Sequence, residues 1–312
     1  MSSLHRLQKR LSESDDLRAQ YTAFMEDYLQ SGHMCVVDPS LLLRQTVYLP
    51  HHGVTRVDSL TTKLRVVFNA SAPTQNGKSL NDYLFPGPKL QSELVSLILR
   101  WHQWKYVFSA DIAQMYRQIL VHPEDQSYQL ILWRVASSEP VQTYELRTVT
   151  YGTTSAPYQA QRVIYQLAED EGPNFPLAVP ILRNDRYVDD IMSGADTIQN
   201  TLAKKTQTAD CLARGGFLLR KWASNELEIL TGVDPANHGF ALKRPFDLQS
   251  KLKVLGLCWN PVGDEFNIHV SLPPWETPTK RRILSLVAHL FDPLGWLAPV
   301  ILIPKILLQD LW

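Results

Sequence analysis

Leu4, Leu7 and Leu11, then Leu17, Tyr21, Phe24, Met25 and Tyr28, recur at three- and four-residue spacing. That period predicts two amphipathic helices interrupted near "SESDD". "RQTVYLPHHGV" and "TKLRVVFNAS" follow as two strands joined by a turn. "APTQNGKSLNDYLFPGPK" is a loop by its Gly, Pro, Asn and Ser content, and "LQSELVSLILRWHQW" a helix. "KYVFSADIA" is an apolar strand that runs into a turn or short helix at "QMYRQ". "YQLILWRV" and "YELRTVTY" form an antiparallel pair around "ASSEP". "SAPYQAQRVIYQLAEDE" is a helix with Ser155 as N-cap. "RYVDDIMSG" is a hairpin with its acids at the tip, and "TIQNTLAKKTQTADCLARGGF" a helix stopped at Gly215-Gly216. "KVLGLCWN" and "EFNIHVSL" close the pattern as a hairpin across "PVGD". Strands and helices interleave irregularly and without repeats. The expected class is α+β, an antiparallel sheet with helices packed on one face.

Composition narrows the picture. A chain of 312 residues, 45% hydrophobic and 20% charged, buries a sizeable core and folds as two or three subdomains. Its formal net charge is zero, so no overall basicity announces a nucleic-acid partner. Cations outnumber anions only from residue 201 onward. The three cysteines, Cys35, Cys211 and Cys258, have no metal-binding spacing and are expected as buried free thiols in a reducing compartment. The N-terminus carries charge where a signal peptide needs an apolar core. Residues 283–304, "ILSLVAHLFDPLGWLAPVILIP", are long enough to span a bilayer, but Asp292-Pro293 interrupts them. A buried pair of short helices is expected there.

His51 and His52 raise the question of metal, yet neighbours on a strand point to opposite faces and no ligand spacing supports the role. Asp189 and Asp190 are more telling. Adjacent carboxylates repel, and a hairpin tip of this kind is ordinarily a solvated turn. Asp111 ends the apolar strand "YVFSADIA". If that strand lies beside the hairpin, three carboxylates meet at one sheet edge. Such a cluster favours a divalent cation. Oxygen ligands suit Mg2+, with Mn2+ possible, rather than zinc. Two ions about 3.5–4 Å apart activate an attacking oxygen and stabilise a leaving one, which is phosphoryl-transfer chemistry.

"FSADIAQMY", "YGTTSAPYQAQ" and "YVDD", in this order, resemble the core motifs of reverse transcriptases. "TTKLRVVFNASA", "LILWR" and "HLFDPLGWLAPVILIPKILLQDLW" resemble the Pao/BEL class of LTR retrotransposon polyproteins. The resemblance runs from about residue 20 to the end, and the ordered set is specific where single motifs are not. It implies a polymerase right hand of fingers, palm and thumb. Residues 1–40 would be an N-terminal helical extension, 41–95 and 121–150 fingers, and 96–120 and 151–262 palm with a primer-grip hairpin. Residues 263–312 would be a partial thumb or connection.

The resemblance assigns Asp111, Asp189 and Asp190 as the catalytic, metal-binding acids, with the Ile112 carbonyl completing the metal shell. Tyr116 matches the aromatic gate that excludes a 2′-hydroxyl. Lys63 and Arg65 match the fingers strand that grips a triphosphate. Ala113, Gln114, Gly152, Gln161 and Lys221 fall at nucleotide-binding positions; Lys221 would protonate the leaving pyrophosphate. Leu255, Gly256 and Leu257 match the primer grip. Gln114 and Asn69 stand where relatives often carry acids.

The implied partners are an RNA or DNA template with annealed primer, and dNTPs. RNase H and integrase domains of a longer polyprotein are implied too, but none of their motifs is visible in this chain. No membrane partner is expected. The expected location is intracellular, in a cytoplasmic particle or the nucleus. An RNA-dependent RNA polymerase shares the palm and metal pair, and Tyr116 argues against it. A catalytically impaired nucleic-acid-binding remnant is the reading of a different class.

Overall fold

The computed structural model describes residues 2–41, 45–55, 64–136, 138–239, 252–254, 257–268, 277, 279–288, 290 and 292–311. Along these, the chain forms α1 (Ser2–Ser12), α2 (Asp15–Gln30), β1 (Met34–Val37), β2 (His51–Thr55) and β3 (Leu64–Phe68). Then come α3 (Leu94–His102), β4 (Tyr106–Ile112), β5 (Leu130–Trp133), β6 (Gln142–Leu146), α4 (Ala156–Asp170) and α5 (Ala178–Asn184). β7 (Arg186–Tyr187), β8 (Asp190–Ala195), α6 (Ile198–Arg214) and β9 (Leu219–Ser224) precede β10 (Leu252–Val254), β11 (Leu257–Asn260) and β12 (Glu265–Asn267). α7 (Lys280–Ala288) and α8 (Ala298–Leu311) come last. The class is α+β with small antiparallel sheets, as the hydrophobic pattern predicts. Contacts divide the chain into two units, Met1–Leu90 with Gln114–Ile164, and Gln91–Ala113 with Tyr165–Trp312.

In the first unit the break between α1 and α2 is Ser14, whose hydroxyl accepts from the Leu17 amide and caps α2. One face of α2 buries Tyr21, Met25 and Tyr28 with Val66, Phe68, Trp133 and Leu146 from the strands. Each fully buried side chain of this size contributes roughly 1.5–3 kcal/mol. Strand β3 alternates, with Leu64, Val66 and Phe68 inward and Arg65 exposed. β2 pairs with β3, and the other sheet has the order β1-β6-β5. His51 is buried and His52 exposed, so the two rings face opposite ways. His51 Nε2 donates to the Leu132 carbonyl, leaving Nδ1 to accept from the Tyr21 hydroxyl. That satisfies His51 as a core histidine.

The second unit is built on a four-stranded sheet of order β7-β8-β4-β9. β4 is central, and its residues from Val107 to Ile112 are all buried. Such a strand reads as a continuous apolar run, as "YVF" and "ADIA" do. Helices α3, α5 and α6 pack on this sheet. α6 ends where Gly216 takes φ +76°, and the Phe217 amide turns back to the Leu212 carbonyl. β10, β11 and β12 form a meander, and Trp259 on β11 meets Trp101 of α3 edge-on at 4.7 Å.

Between α7 and α8 the Asp292 carboxylate accepts the amides of Trp296 and Leu297 at 2.9 and 2.7 Å, which breaks the apolar run where expected. The expectation that this pair is buried is not met. No residue of α7 is buried, and in α8 only Ile301 is, while Val300, Leu302, Ile303 and Ile306 are at least half exposed. Hydropathy reports what a helix would gain by burial, not what covers it. Among the described residues no helix is long and apolar enough to cross a membrane. The three cysteines are free, but only Cys211 is buried; Cys35 and Cys258 are half-buried.

Candidate active site

The register of β4 and β8 sets Asp111 directly opposite Asp190. β7 and β8 pair Tyr187 with Asp190, so Val188 and Asp189 alone form the hairpin turn. Two-residue turns of this kind need a positive φ at the first central residue, and Val188 supplies it at φ +53°. The Asp189 carbonyl then accepts the Ile112 amide at 2.7 Å. The segments bearing the three acids are thus joined through backbone at one end of the sheet.

On the other side of β4, β9 pairs Asp111 with Arg220. The Asp111 carboxylate accepts from Arg220 Nε at 3.0 Å and from Lys221 Nζ at 2.9 Å. Neighbours on a regular strand cannot both reach one carboxylate, because they point to opposite faces. A bulge resolves this. The register shifts between Ser109 and Asp111, so that Lys221 and Trp222 together oppose the single residue Ala110. Lys221 sits at φ +54°, the left-handed conformation that turns its side chain to the same side as Arg220.

Electrostatics follow from this packing. Burial, then the negative charge of Asp189 and of Asp111, push the Asp190 carboxyl up to about 7, against a lowering pull from Lys221. In kind, the donors fit a hard divalent cation, since all three are carboxylates and a nearby cation would relieve the field on Asp190. They are not gathered into a cage. Among the described residues no three His, Cys, Asp or Glu side chains stand together so as to hold a metal ion. Arg220 and Lys221 draw the Asp111 carboxylate toward β9 and neutralise it there.

Of the other residues singled out by sequence, Ala113 lies in the second unit just past β4, its amide donating to the Leu218 carbonyl. Leu257 is buried on β11; Leu255, Gly256 and Lys63 lie outside the described residues. Arg65, Gln114, Tyr116, Gly152 and Gln161 belong to the first unit. Arg65 is exposed on β3, and Gln114 is exposed at φ +50°. Tyr116 is half-buried in a short 3-10 turn, and Gln161 is buried in α4. Gly152 has a requirement of its own. At φ +109°, a Cβ there would stand 2.4 Å from the Phe68 carbonyl oxygen, which only glycine avoids. Asn69 accepts the Ser71 amide and closes the turn after β3, a hydrogen bond that an acid at this position would also make.

Sequence reasoning missed three residues that shape this site. No motif marks Arg220, because β9 itself is not expected from the sequence. Gln91 and Arg186 bond the backbone of the Val188 turn, and no motif marks them.

Comparison with known proteins agrees with the class of fold. Residues 279–312 match the family described as Pao retrotransposon-like RNaseH-like domain. This stretch lies within residues 263–312, expected to be a partial thumb or connection. The prototype foamy virus protease-reverse transcriptase, in its selenomethionine-labelled CSH mutant, matches with a TM-score of 0.50 and 14% identity. The match covers 66% of this chain and 24% of that one. The native form of the same protein gives 0.48 and 15% over the same shares. The chain therefore spans about a quarter of the length of these solved structures. At such identity the likeness concerns the fold. No protein of curated function matches.

Proposed function

We propose that the chain is the polymerase part of a retroelement protein, an RNA-directed DNA polymerase that extends a primer 3′-hydroxyl with dNTPs. The observation that carries this reading is the register of Asp111 against Asp190, with the Asp189 carbonyl on the Ile112 amide beside them. The fold likeness to a protease-reverse transcriptase supports it, as does the order of the three sequence motifs. Residues 41–95 and 121–150 would serve as fingers and residues 96–120 and 151–262 as palm of a right hand, and residues 279–312 match a Pao retrotransposon-like RNaseH-like domain.

Asp111, Asp189 and Asp190 would hold two magnesium or manganese ions through carboxylate oxygens. Bound there, the ions supply positive charge that favours the ionised primer hydroxyl and offsets the charge of the triphosphate. Asp111 would have to exchange its pairing with Arg220 and Lys221 for this role. Lys221, a half-exposed ammonium paired with Asp111, would give a proton to departing pyrophosphate. Arg65 would hold triphosphate oxygens and Tyr116 would exclude a 2′-hydroxyl. The template would dictate sequence by pairing, so the protein need grip only backbone and duplex shape.

The same ion pairs favour a second reading, a nucleic-acid-binding remnant without turnover. Two cations already neutralise Asp111, and no three-acid cage stands among the described residues. One experiment separates the readings: extension of an RNA-templated DNA primer with dNTPs and Mg2+, run beside a gel shift of the same primer–template. Extension that EDTA and Asp189→Asn abolish, with binding retained, establishes the polymerase. Binding without extension establishes the remnant. Neither binding nor extension overturns both.

A further inference from the structure

The hairpin carrying Asp189 and Asp190 is held in an unfavourable conformation, and the groups that hold it lie outside the acids. Val188 is β-branched, yet it adopts φ +53°, a conformation such residues avoid because Cβ crowds the backbone. Turns of this pattern ordinarily place glycine here. Left alone, the turn would relax, and the carboxylates of Asp189 and Asp190 would lose their bearing.

Both peptide groups of Val188 are gripped from nearby. Its amide donates to Gln91 Oε1 at 2.8 Å, and its carbonyl accepts from Arg186 Nη1 at 2.6 Å. The second arm of the same Gln91 amide, Nε2, donates to the Arg186 carbonyl at 2.8 Å. Arg186 is buried, and its Nε also donates to the Leu182 carbonyl of α5. Gln91 therefore brackets the turn, bonding the backbone of Arg186 and of Val188. Beyond the turn, the Asp189 carbonyl takes the Ile112 amide. Every bond in this chain lies within the second unit.

We propose that Gln91 is the positioning residue of the catalytic hairpin. Its side-chain amide, together with the Arg186 guanidinium, keeps Val188 left-handed, so that Asp190 stays opposite Asp111 and the Asp189 carbonyl stays on the Ile112 amide. Gln91 acts through Val188, and this rests on the polymerase reading given above. The bidentate amide suits the task because one planar group supplies an acceptor and a donor to the same turn. Glycine at 188 would not need the bracket, since it enters the left-handed region at no steric cost.

The test is a cycle of Gln91→Met, Val188→Gly and the double variant, in the full chain. Gln91→Met keeps length and removes both bonds. Two readouts are taken on each protein. Amide hydrogen exchange across residues 186–192 reports the turn directly. Single-nucleotide extension on an RNA template gives kcat and KM for the dNTP. Gln91→Met should raise exchange in this segment by roughly tenfold or more, through local opening. It should lower kcat by about tenfold, the scale on which a supporting shell acts, with KM changed by less than about twofold. In the Val188→Gly background the same replacement should cost less than about threefold in kcat, because the conformation no longer needs holding. Gln91→Glu, which keeps the acceptor and loses the donor, should fall between and provides a second variant if Gln91→Met folds poorly. Unchanged exchange, or an equal cost in both backgrounds, overturns the proposal. If the parent extends no primer, the polymerase reading falls by itself, and hydrogen exchange still decides whether Gln91 holds the turn.

Discussion

The Ile112 amide gives its hydrogen to the carbonyl of Asp189 across 2.7 Å, so the end of one strand fixes the turn between two others. Asp111 precedes Ile112 and Asp190 follows Asp189, so this bond sets how far apart the opposed carboxylates stand.

Tyr116 is the residue to test for sugar selection. It is half-buried in the 3-10 turn after β4. Replacing it with alanine should relax the preference for dNTP over rNTP by on the order of a hundredfold, while dNTP extension falls much less. Single-nucleotide incorporation measured with both sugar types gives the ratio. An unchanged ratio would remove Tyr116 from the gate.

His51 should make the first unit acid-sensitive. Burial draws its imidazole down to about 4 from an ordinary 6.5. The folded state therefore binds fewer protons than the unfolded state between these values, and stability rises with pH across that window. His51 contributes fully above about pH 6.5, and roughly 3 kcal/mol is lost as pH falls through 4. Urea unfolding of the parent and of His51→Gln from pH 7 to pH 4 should show the steeper loss in the parent. Parallel profiles would reject the assignment.

Gly152→Ala should destabilise by at least about 2 kcal/mol, since a left-handed backbone and a clash with the Phe68 carbonyl act together. Denaturant unfolding measures this directly. Because the cost is internal to the first unit, it should appear without nucleotide or primer. A destabilisation seen only in extension assays would point to nucleotide approach as the reason for glycine.

Asp292→Ala removes two amide partners ahead of α8 and should cost about 1 kcal/mol locally. Hydrogen exchange at residues 296–301 should speed up, while the segment 106–112 in β4 stays protected. Equal loosening of both segments would contradict a local cap.

Much of this was legible in the sequence, for physical reasons that also mark where reading stopped. The run "YVFSADIA" announced a strand buried on both faces, and β4 is one. The polar run "SESDD" and Asp292-Pro293 announced helix breaks, and Ser14 and Asp292 turn out to cap the helices there. β9 escaped because its bulge spoils the two-residue alternation that identifies strands, and α5 because seven residues with Pro180 carry too little period. At the site, the acids stood out by their apolar strand context, and their order by the resemblance it carries. The pairing of Asp111 with Arg220 and Lys221 could not be read, since it depends on a register shift that no single segment encodes. Gln91 was equally invisible, because its bonds go to backbone atoms about a hundred residues away, and backbone atoms have no sequence signature.

The extra residue in β9 has a consequence for length. Residues 219 and 220 already lie opposite Ile112 and Asp111, while 223 and 224 lie opposite Ser109 and Phe108. Excising Lys221 outright would leave Trp222 to meet Ala110, and the ladder would close without slippage. Here a codon loss is gentler than it looks: it erases one ammonium and leaves Arg220 opposite Asp111 and Ala223 opposite Ser109.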